Sequence, residues 1–563
     1  MNKRRLKKGP IIIILLILSI IIVLFGLKIF KKEEIKKEEK LLASIDYKIK
    51  TYNLDYTPSI EIPRGTMVIV YQKEYKNKNE DITYNKIIYD NKEYYIDLNQ
   101  LRNLDENPIL EENMYVRTPV TVYENDTDNK ILGYYTKETK LDIVGYDKIN
   151  DDGSVNMYKV KYDNKEGYVF SKYLVRTKEE SSLVYNEKIN ENELGVYDIH
   201  KDRKFYYDLY GGSAANLDYF PFIKPSFMNN KLLEDAKTLY LNGSYTTIDE
   251  IDKYIEIAKT SNINSIVIDI KDGNLAYDSD VAIEYLCEDS ERCTMAKGNN
   301  SLENYKNAIK KIKDADLYVI GRIVAFNDPY FASANQSEAI LKPNGSPTSW
   351  VSAYSRKSWE YNVSLAIEAI NLFSFNEIQF DYVRFPESSY SMSADNYDFR
   401  NKYNEDKAVG IQNFVIYAVD QIHKYNAYVS IDVFGECSST YVTAYGQYWP
   451  AISNVADVIS AMPYPDHFSQ GSYGISLPWT EPYNTLKSWG KTASQRQSEI
   501  PTPSIARTWI QAYNAIREPY NSYGPTEIKS QIKGLEDAGL TGGYLTWNAG
   551  SSLTKYEYLK EAF

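Results

Sequence analysis

Three aspartates recur at matching places in three apolar segments of the C-terminal half: Asp269, Asp381 and Asp432. In the first segment Ile266, Ile268 and Ile270 alternate with Val267, Asp269 and Lys271. In the second, Ile378, Phe380 and Tyr382 alternate with Gln379, Asp381 and Val383. In the third, Val429, Ile431 and Val433 alternate with Ser430, Asp432 and Phe434. Side chains along a strand point alternately to its two faces. The apolar triplets are the natural helix-packing faces of barrel strands, which turns the carboxylates inward, near the C-terminal ends of strands two, four and five. Arg322 and Arg507 occupy comparable places on strands three and seven. Charge inside a barrel is costly unless it is paired or opens to the mouth. The set therefore has two readings. One is a structural ion-pair network, with Asp269 bonded to Lys271 or Arg322. The other is acid–base or nucleophilic chemistry on a substrate held in the mouth. Two carboxylates are the minimum machinery for cleaving a glycosidic bond: an acid of raised pKa, and an anion that attacks or activates water. A separation of ~5–5.5 Å would favour retention and ~6.5–9.5 Å inversion. With only 3 His and 3 Cys among 563 residues, zinc-finger, iron–sulfur and disulfide-stapled scaffolds are excluded. No metal site and no cofactor are expected.

The elements that must position these residues alternate between short apolar strands and amphipathic helices, the pattern of a parallel α/β fold. Strands are predicted over 238–242, 265–271, 317–326, 377–385, 428–435, 457–464, 502–509 and 543–548. The first helix shows a capping box, Thr247 with Glu250, followed by Ile251, Tyr254, Ile255 and Ala258 on one face. Eight strand–helix repeats over 232–563 predict a (β/α)8 TIM barrel, whose active sites lie at the C-terminal mouth. A doubly wound open sheet is the alternative, but no Gly-rich phosphate loop follows the first strand.

At these strand ends the chain resembles a glycoside hydrolase family of Gram-positive surface proteins, catalogued as a domain of unknown function and akin to the alpha-amylase-type barrels. The resemblance runs from about Thr238 to Tyr558. It is carried by Val267-Ile268-Asp269-Ile270-Lys271-Asp272, by Gly321-Arg322 through Pro329, and by Glu377 through Pro386. It continues in Ser430 through Gly435, Gly446-Gln447, Met462 through Phe468, Ala506 through Gln511, and Tyr544 through Asn548. The resemblance implies Asp381 as nucleophile or base and Asp432 as the second carboxylate. Glu436 is a rival general acid, although it departs from the family pattern after the Gly. Asp269 and Arg384 would orient or pair with these groups; strand alternation puts Arg384 on the helix-facing side unless the strand has ended. Lys271, Arg322 and Arg507 complete the charged groups expected to meet substrate. His467 reads equally as a sugar-hydroxyl donor or as a packing residue. Trp350, Trp509, Trp547 and Tyr464 are candidates for stacking on sugar faces or for barrel packing. Asp328 and Asp466 read as loop-capping carboxylates, and His200 and His423 as linker and helix residues.

The N-terminal half is built differently. Residues 1–40 hold 11 Lys/Arg against 4 Asp/Glu, whereas the whole chain carries a net −12. An acidic body is not suited to binding nucleic acid by bulk charge, and no such partner is expected. Lys3, Arg4, Arg5, Lys7 and Lys8 in the basic segment 1–10 precede an apolar run over 11–30. That run is long enough to span a bilayer, with the basic end cytoplasmic and the rest outside. A cleaved signal peptide is the alternative. Residues 31–56 read as a stalk. From 57 to 104 and from 114 to 177 short strands are separated by polar turns. Both stretches contain Tyr-Asp-Asn-Lys-Glu at the same distance from a later Leu, at Tyr89–Glu93 and Tyr162–Glu166. The close of the second, Gly167 through Leu174, resembles bacterial SH3-like domains, which implies either peptidoglycan contact or a plain spacer. Residues 178–231 read as a linker. Cys287 and Cys293 are close enough in sequence for a local disulfide, leaving Cys437 unpaired.

The sequence thus predicts a multidomain membrane-anchored protein: an N-terminal transmembrane helix, two small all-β SH3-like domains and a C-terminal TIM barrel that hydrolyses a cell-wall or surface polysaccharide. Competing readings are a glycan-binding surface protein with an inactive barrel and a scaffold for protein partners.

Overall fold

The computed structural model describes residues 39–43, 48–55, 57–76, 83–104, 113–183, 211–288 and 291–563. The basic segment 1–10, the apolar run 11–30 and His200 lie outside these residues. Among the described residues no helix is long and apolar enough to cross a membrane. They form two compact units. The first comprises the described residues up to 114 with 141–161 and 168–172; the second comprises 115–140, 162–167 and those from 173 onward.

The first unit contains a seven-stranded antiparallel sheet. Its order is Pro58–Pro63, Lys48–Tyr52, Lys92–Asp97, Thr83–Tyr89, Met67–Lys76, Glu39–Ala43, Leu101–Arg102. Leu41, Ile49, Ile62, Val68, Val70, Ile87 and Ile96 bury one face of it. Two of these strands fall inside the expected stalk 31–56. The Lys/Glu-rich flanks conceal the alternation that buries Leu41 and Ile49. The repeated pentapeptide forms a two-residue turn in both copies, between Thr83–Tyr89 and Lys92–Asp97, and between Met157–Tyr162 and Lys165–Phe170. Asp90, Asn91 and Asp163 take φ of 49°, 58° and 50° there, a left-handed region that Asn and Asp tolerate well.

The second unit is dominated by a near-closed parallel barrel. Its strands are β1 (Ala236–Leu241), β2 (Ser265–Asp272), β3 (Tyr318–Val324), β4 (Glu377–Asp381), β5 (Tyr428–Phe434), β6 (Val458–Met462), β7 (Ile505–Ala506 and Thr508–Gln511) and β8 (Gly543–Trp547). Each pairs in parallel with the next, and β8 returns to β1. The first half of β7 pairs with β6 and the second with β8, while the Arg507 N–H between them donates to the Ile459 carbonyl. All eight predicted strands are present. The fourth is shorter than its apolar pattern suggests, because Tyr382 turns left-handed at φ 54°. The predicted capping box does not form: Ser244 caps a short helix, Tyr245–Asp249, that contains Thr247, and the amphipathic helix Ile251–Lys259 follows.

Further segments pack on the barrel's helices. Of the expected linker 178–231, residues 211–231 lie against it. Asp218 N–H donates to Gln412 Oε1 at 2.8 Å, and Ala214, Leu217 and Tyr219 join Ala408, Tyr448 and Ala451 in one apolar cluster. The hairpin of Val120–Tyr123 and Ile131–Tyr135 docks on the helices Arg356–Phe373 and Lys407–Ile422. There Glu360 accepts from Ile131 N–H, and Asn413 donates to the Tyr134 hydroxyl. In the insertion after β2, Cys287 and Cys293 are disulfide-bonded, whereas Cys437 is free and buried.

At the N-terminal end of the barrel Arg507 Nη1 meets both oxygens of Glu377, at 2.8 and 3.1 Å, and Nη2 reaches the Leu233 carbonyl. Both side chains are 0% exposed. Arg507 is therefore a structural residue at the bottom of the barrel, not a mouth residue as its inward face suggests. Removing one partner of such a pair leaves a buried charge uncompensated. Arg507→Met should cost about 3–5 kcal/mol in urea unfolding, and adding Glu377→Leu should recover most of it. A single variant within ~1 kcal/mol of wild type would contradict the assignment.

Candidate functional site

The upper half of the barrel interior is organised around Arg322 on β3, which is 1% exposed. Its register places it beside Asp269 of β2. Nη1 donates to Asp269 Oδ1 at 2.7 Å and to Asp272 Oδ2 at 3.0 Å. Nη2 and Nε donate to Asp381 Oδ2 at 2.7 and 3.2 Å. The same Nε lies 4.0 Å from Asp432 Oδ2. The Oδ2 atoms of Asp381 and Asp432 are thus no farther apart than the sum of their distances to Nε, which is short of the ~9.5 Å upper end for a glycosidase pair. The ring of Tyr240 and that of Trp547 lie 5.7 and 5.4 Å from the guanidinium.

Each carboxylate has a further partner. Tyr240 OH donates to Asp269 Oδ2 at 2.7 Å. The Tyr382 N–H, turned by its left-handed backbone, donates to Asp381 Oδ1 at 2.6 Å. Trp509 Nε1–H donates to Asp432 Oδ1 at 2.9 Å. Asp432 Oδ2 has no hydrogen-bond partner among the described residues. Asp272 is the open member, its side chain 46% exposed.

One guanidinium cannot balance this many buried carboxylates, so protons must. Burial pushes Asp269 up to about 6, although Arg322 opposes the shift. Burial pushes Asp432 well above the carboxylate range, the Asp381 charge adds to the effect, and Arg322 opposes it. Burial therefore favours the protonated form of Asp432.

Around this centre the loops add further groups. Because β4 ends at Asp381, Arg384 leaves the helix-facing side that strict alternation assigned to it. Its guanidinium lies 4.2 Å from the Phe434 ring, 4.7 Å from Tyr382 and 5.2 Å from Trp350, and donates to Glu387. Glu436 follows β5, is exposed, and accepts from the Tyr441 and Tyr445 hydroxyls at 2.8 Å each. Tyr464 is buried with Tyr240 and Trp509, and His467 stands edge-on to it, 5.0 Å between ring centroids. Asp328 caps the helix Pro329–Ala334. Asp466 holds Gln511, Tyr513 and the Ile516 N–H. Both are loop-fixing carboxylates.

Two expected site residues are used differently. Lys271 does not reach the mouth. A register shift after Asp269 sends its ammonium to Asp328 and Asn362, beneath the Tyr361 ring. Trp509 cannot stack on a sugar, because its ring is buried between Tyr240 and Trp547; it presents its N–H instead. Trp547 and Trp350 are half-buried and keep an open side. Sequence reasoning passed over Tyr240, whose inward place on the first strand the alternation argument could have found. It also passed over Asp272, which stands inside a quoted motif.

The model of a family described as "Putative glycosyl hydrolase domain" matches residues 238–553. No curated protein matches the chain. Among solved structures, a hypothetical protein from Ruminiclostridium thermocellum is 29% identical, with 35% of this chain and 97% of that one covered and a TM-score of 0.28. The glycoside hydrolase domain of PgaB (BpsB) from Bordetella bronchiseptica is 11% identical over 59% and 99%, with a TM-score of 0.41. A class V chitinase from Pseudomonas fluorescens is 12% identical over 58% and 99%, with a TM-score of 0.36. At these TM-scores the structural likenesses carry no argument about chemistry.

The raised Asp269 carboxyl has a defined effect on stability. Between about pH 4 and 6 the folded protein holds a proton that the unfolded chain has released, so this group's contribution falls as pH rises through that window. Asp269→Asn removes it. In urea unfolding the variant should gain on wild type by ~2–3 kcal/mol between pH 4 and pH 7. Parallel stability curves would show that Asp269 titrates normally.

Proposed function

We propose, from the premise that the chain belongs to the putative glycosyl hydrolase domain family, that it hydrolyses a glycosidic bond of a cell-wall or surface polysaccharide held at the barrel mouth. Asp381 and Asp432 are the working pair. The observation that carries this reading is their unequal bonding around one cation: Asp381 is bonded twice to Arg322, whereas Asp432 Oδ2 has no hydrogen-bond partner among the described residues and burial favours its protonated form. Asp432 supplies the proton that the leaving glycosidic oxygen takes up. The Asp381 carboxylate attacks the anomeric carbon, or removes a proton from the water that does. Arg322 fixes Asp381, Asp269 and Tyr240 fix Arg322, and Trp509 fixes Asp432. In this reading residues 11–30 tether the enzyme to the membrane with the barrel outside, and the all-β region meets peptidoglycan.

A second assignment of the acid has its own support. Asp432 is 0% exposed, while Glu436 is exposed four residues on, held by two tyrosines. A general acid has to reach the oxygen it protonates.

Digestion of a glycan library by the full-length protein, followed by release of reducing ends, tests both. Asp381→Asn should lower turnover by about 10²–10⁴-fold while leaving the fold intact. If Asp432 is the acid, Asp432→Asn abolishes the high-pH limb of the kcat/KM profile and Glu436→Gln keeps it; the reverse outcome assigns the role to Glu436. Wild-type turnover by Asp381→Asn and Asp432→Asn alike would remove the pair from catalysis. Retention of polysaccharide without release of reducing ends would favour a binding protein with an inactive barrel.

A further inference from the structure

We infer that the loops after β6 and β7 form a second sugar-binding surface beside the Arg322 centre, which holds polysaccharide beyond the bond to be cleaved. The identity of the occupant rests on the hydrolase reading; the surface itself rests on its own geometry.

The two loops are rigidly tied together. The Asp466 carboxylate accepts from Gln511 Nε2 at 3.2 Å, Tyr513 OH at 3.0 Å and the Ile516 N–H at 3.3 Å. Arg517 Nη1 donates to the Phe468 carbonyl at 3.0 Å. The Trp479 carbonyl accepts from Tyr523 OH and Asn521 Nδ2, and its indole N–H donates to the Pro519 carbonyl. Leu477, Trp479, Ala515 and Tyr523 fill the space beneath.

On this fixed base large apolar side chains face solvent. Ile516 is 67% exposed, Tyr520 68% and Tyr473 45%. Tyr473 is held left-handed at φ 55° between Gly471 and Gly474, a conformation unfavourable for a bulky residue. Its ring leans on Phe468 at 5.6 Å. A folded loop gains nothing from presenting these groups to water. The loop that carries the patch packs against the candidate centre: His467 adjoins Tyr464, which packs with Trp509, the donor to Asp432. A polymer that leaves the centre on the side of the loops after β6 and β7 meets it next. Flat aromatic faces with hydroxyl tips, beside Arg517 donors, suit pyranose rings that alternate apolar faces with hydroxyl edges. The arrangement makes the preferred substrate an extended chain.

Peptidoglycan glycan strands, fractionated into tri- and tetrasaccharides and long strands, serve as the probe for the full-length protein. Tyr520→Ala and Tyr473→Ala should each reduce kcat/KM about tenfold more on long strands than on short ones. Tyr520→Phe, which keeps the ring, should restore the preference. Equal losses on both lengths, or none, would overturn the surface. If wild type cleaves no strand, peptidoglycan is removed as the substrate of the hydrolase reading and strand retention decides the surface. Retention of long strands by wild type but not by Tyr520→Ala still supports the surface, and equal retention or none overturns it.

Discussion

Arg322 is the interaction on which the upper barrel depends. A fully buried guanidinium is tolerable only when its donors are met, and here two carboxylates from β2 and one from β4 meet them while a fourth stands at ion-pair distance. The surplus of negative charge then has to be relieved by protonation. Asp432 is the group best placed to hold a proton, because its Oδ2 has no hydrogen-bond donor and its Oδ1 receives only the Trp509 N–H. Burial, with the neighbouring Asp381 charge, therefore favours the protonated form of Asp432 against the pull of Arg322. A protonated carboxyl beside a carboxylate is also the state that acid–base cleavage of a glycoside needs.

The rest of the barrel makes this sharing possible. The register shift in β2 diverts Lys271 to Asp328, so no second cation competes for Asp269. The left-handed turn at Tyr382 ends β4 where its N–H can hold Asp381 and lets Arg384 leave the strand pattern. At the opposite end Arg507 and Glu377 neutralise each other. The barrel thus carries a balanced charge layer at its base and an unbalanced one near its mouth.

Much of this was legible in the sequence because strands write a period of two. Ile266, Ile268 and Ile270 announced a helix-facing side and turned Asp269 inward; the same argument located Asp381 and Asp432. It assigned a face but not a height. Arg322 and Arg507 are both inward arginines, and only the stagger between strands puts one near the mouth and the other at the base. Lys271 was misplaced because a bulge leaves no compositional mark. Trp509 reads in the sequence as a sugar platform or as barrel packing, because residue type does not tell whether an indole offers its ring or its N–H. Leu41 and Ile49 were hidden in a charge-rich stretch whose pairing partners lie far along the chain. His467 and Tyr464 were found at the mouth, but the exposed Tyr473 and Tyr520 were not, since loop tips carry no period.

The central claim is that burial beside Asp381 favours the protonated form of Asp432 despite the nearby Arg322. Infrared difference spectroscopy between wild type and Asp432→Asn measures this directly. The account predicts that at pH 7 wild type shows the C=O stretch of a protonated carboxyl, absent from the variant. A pure carboxylate signal for Asp432 at pH 7 would contradict it.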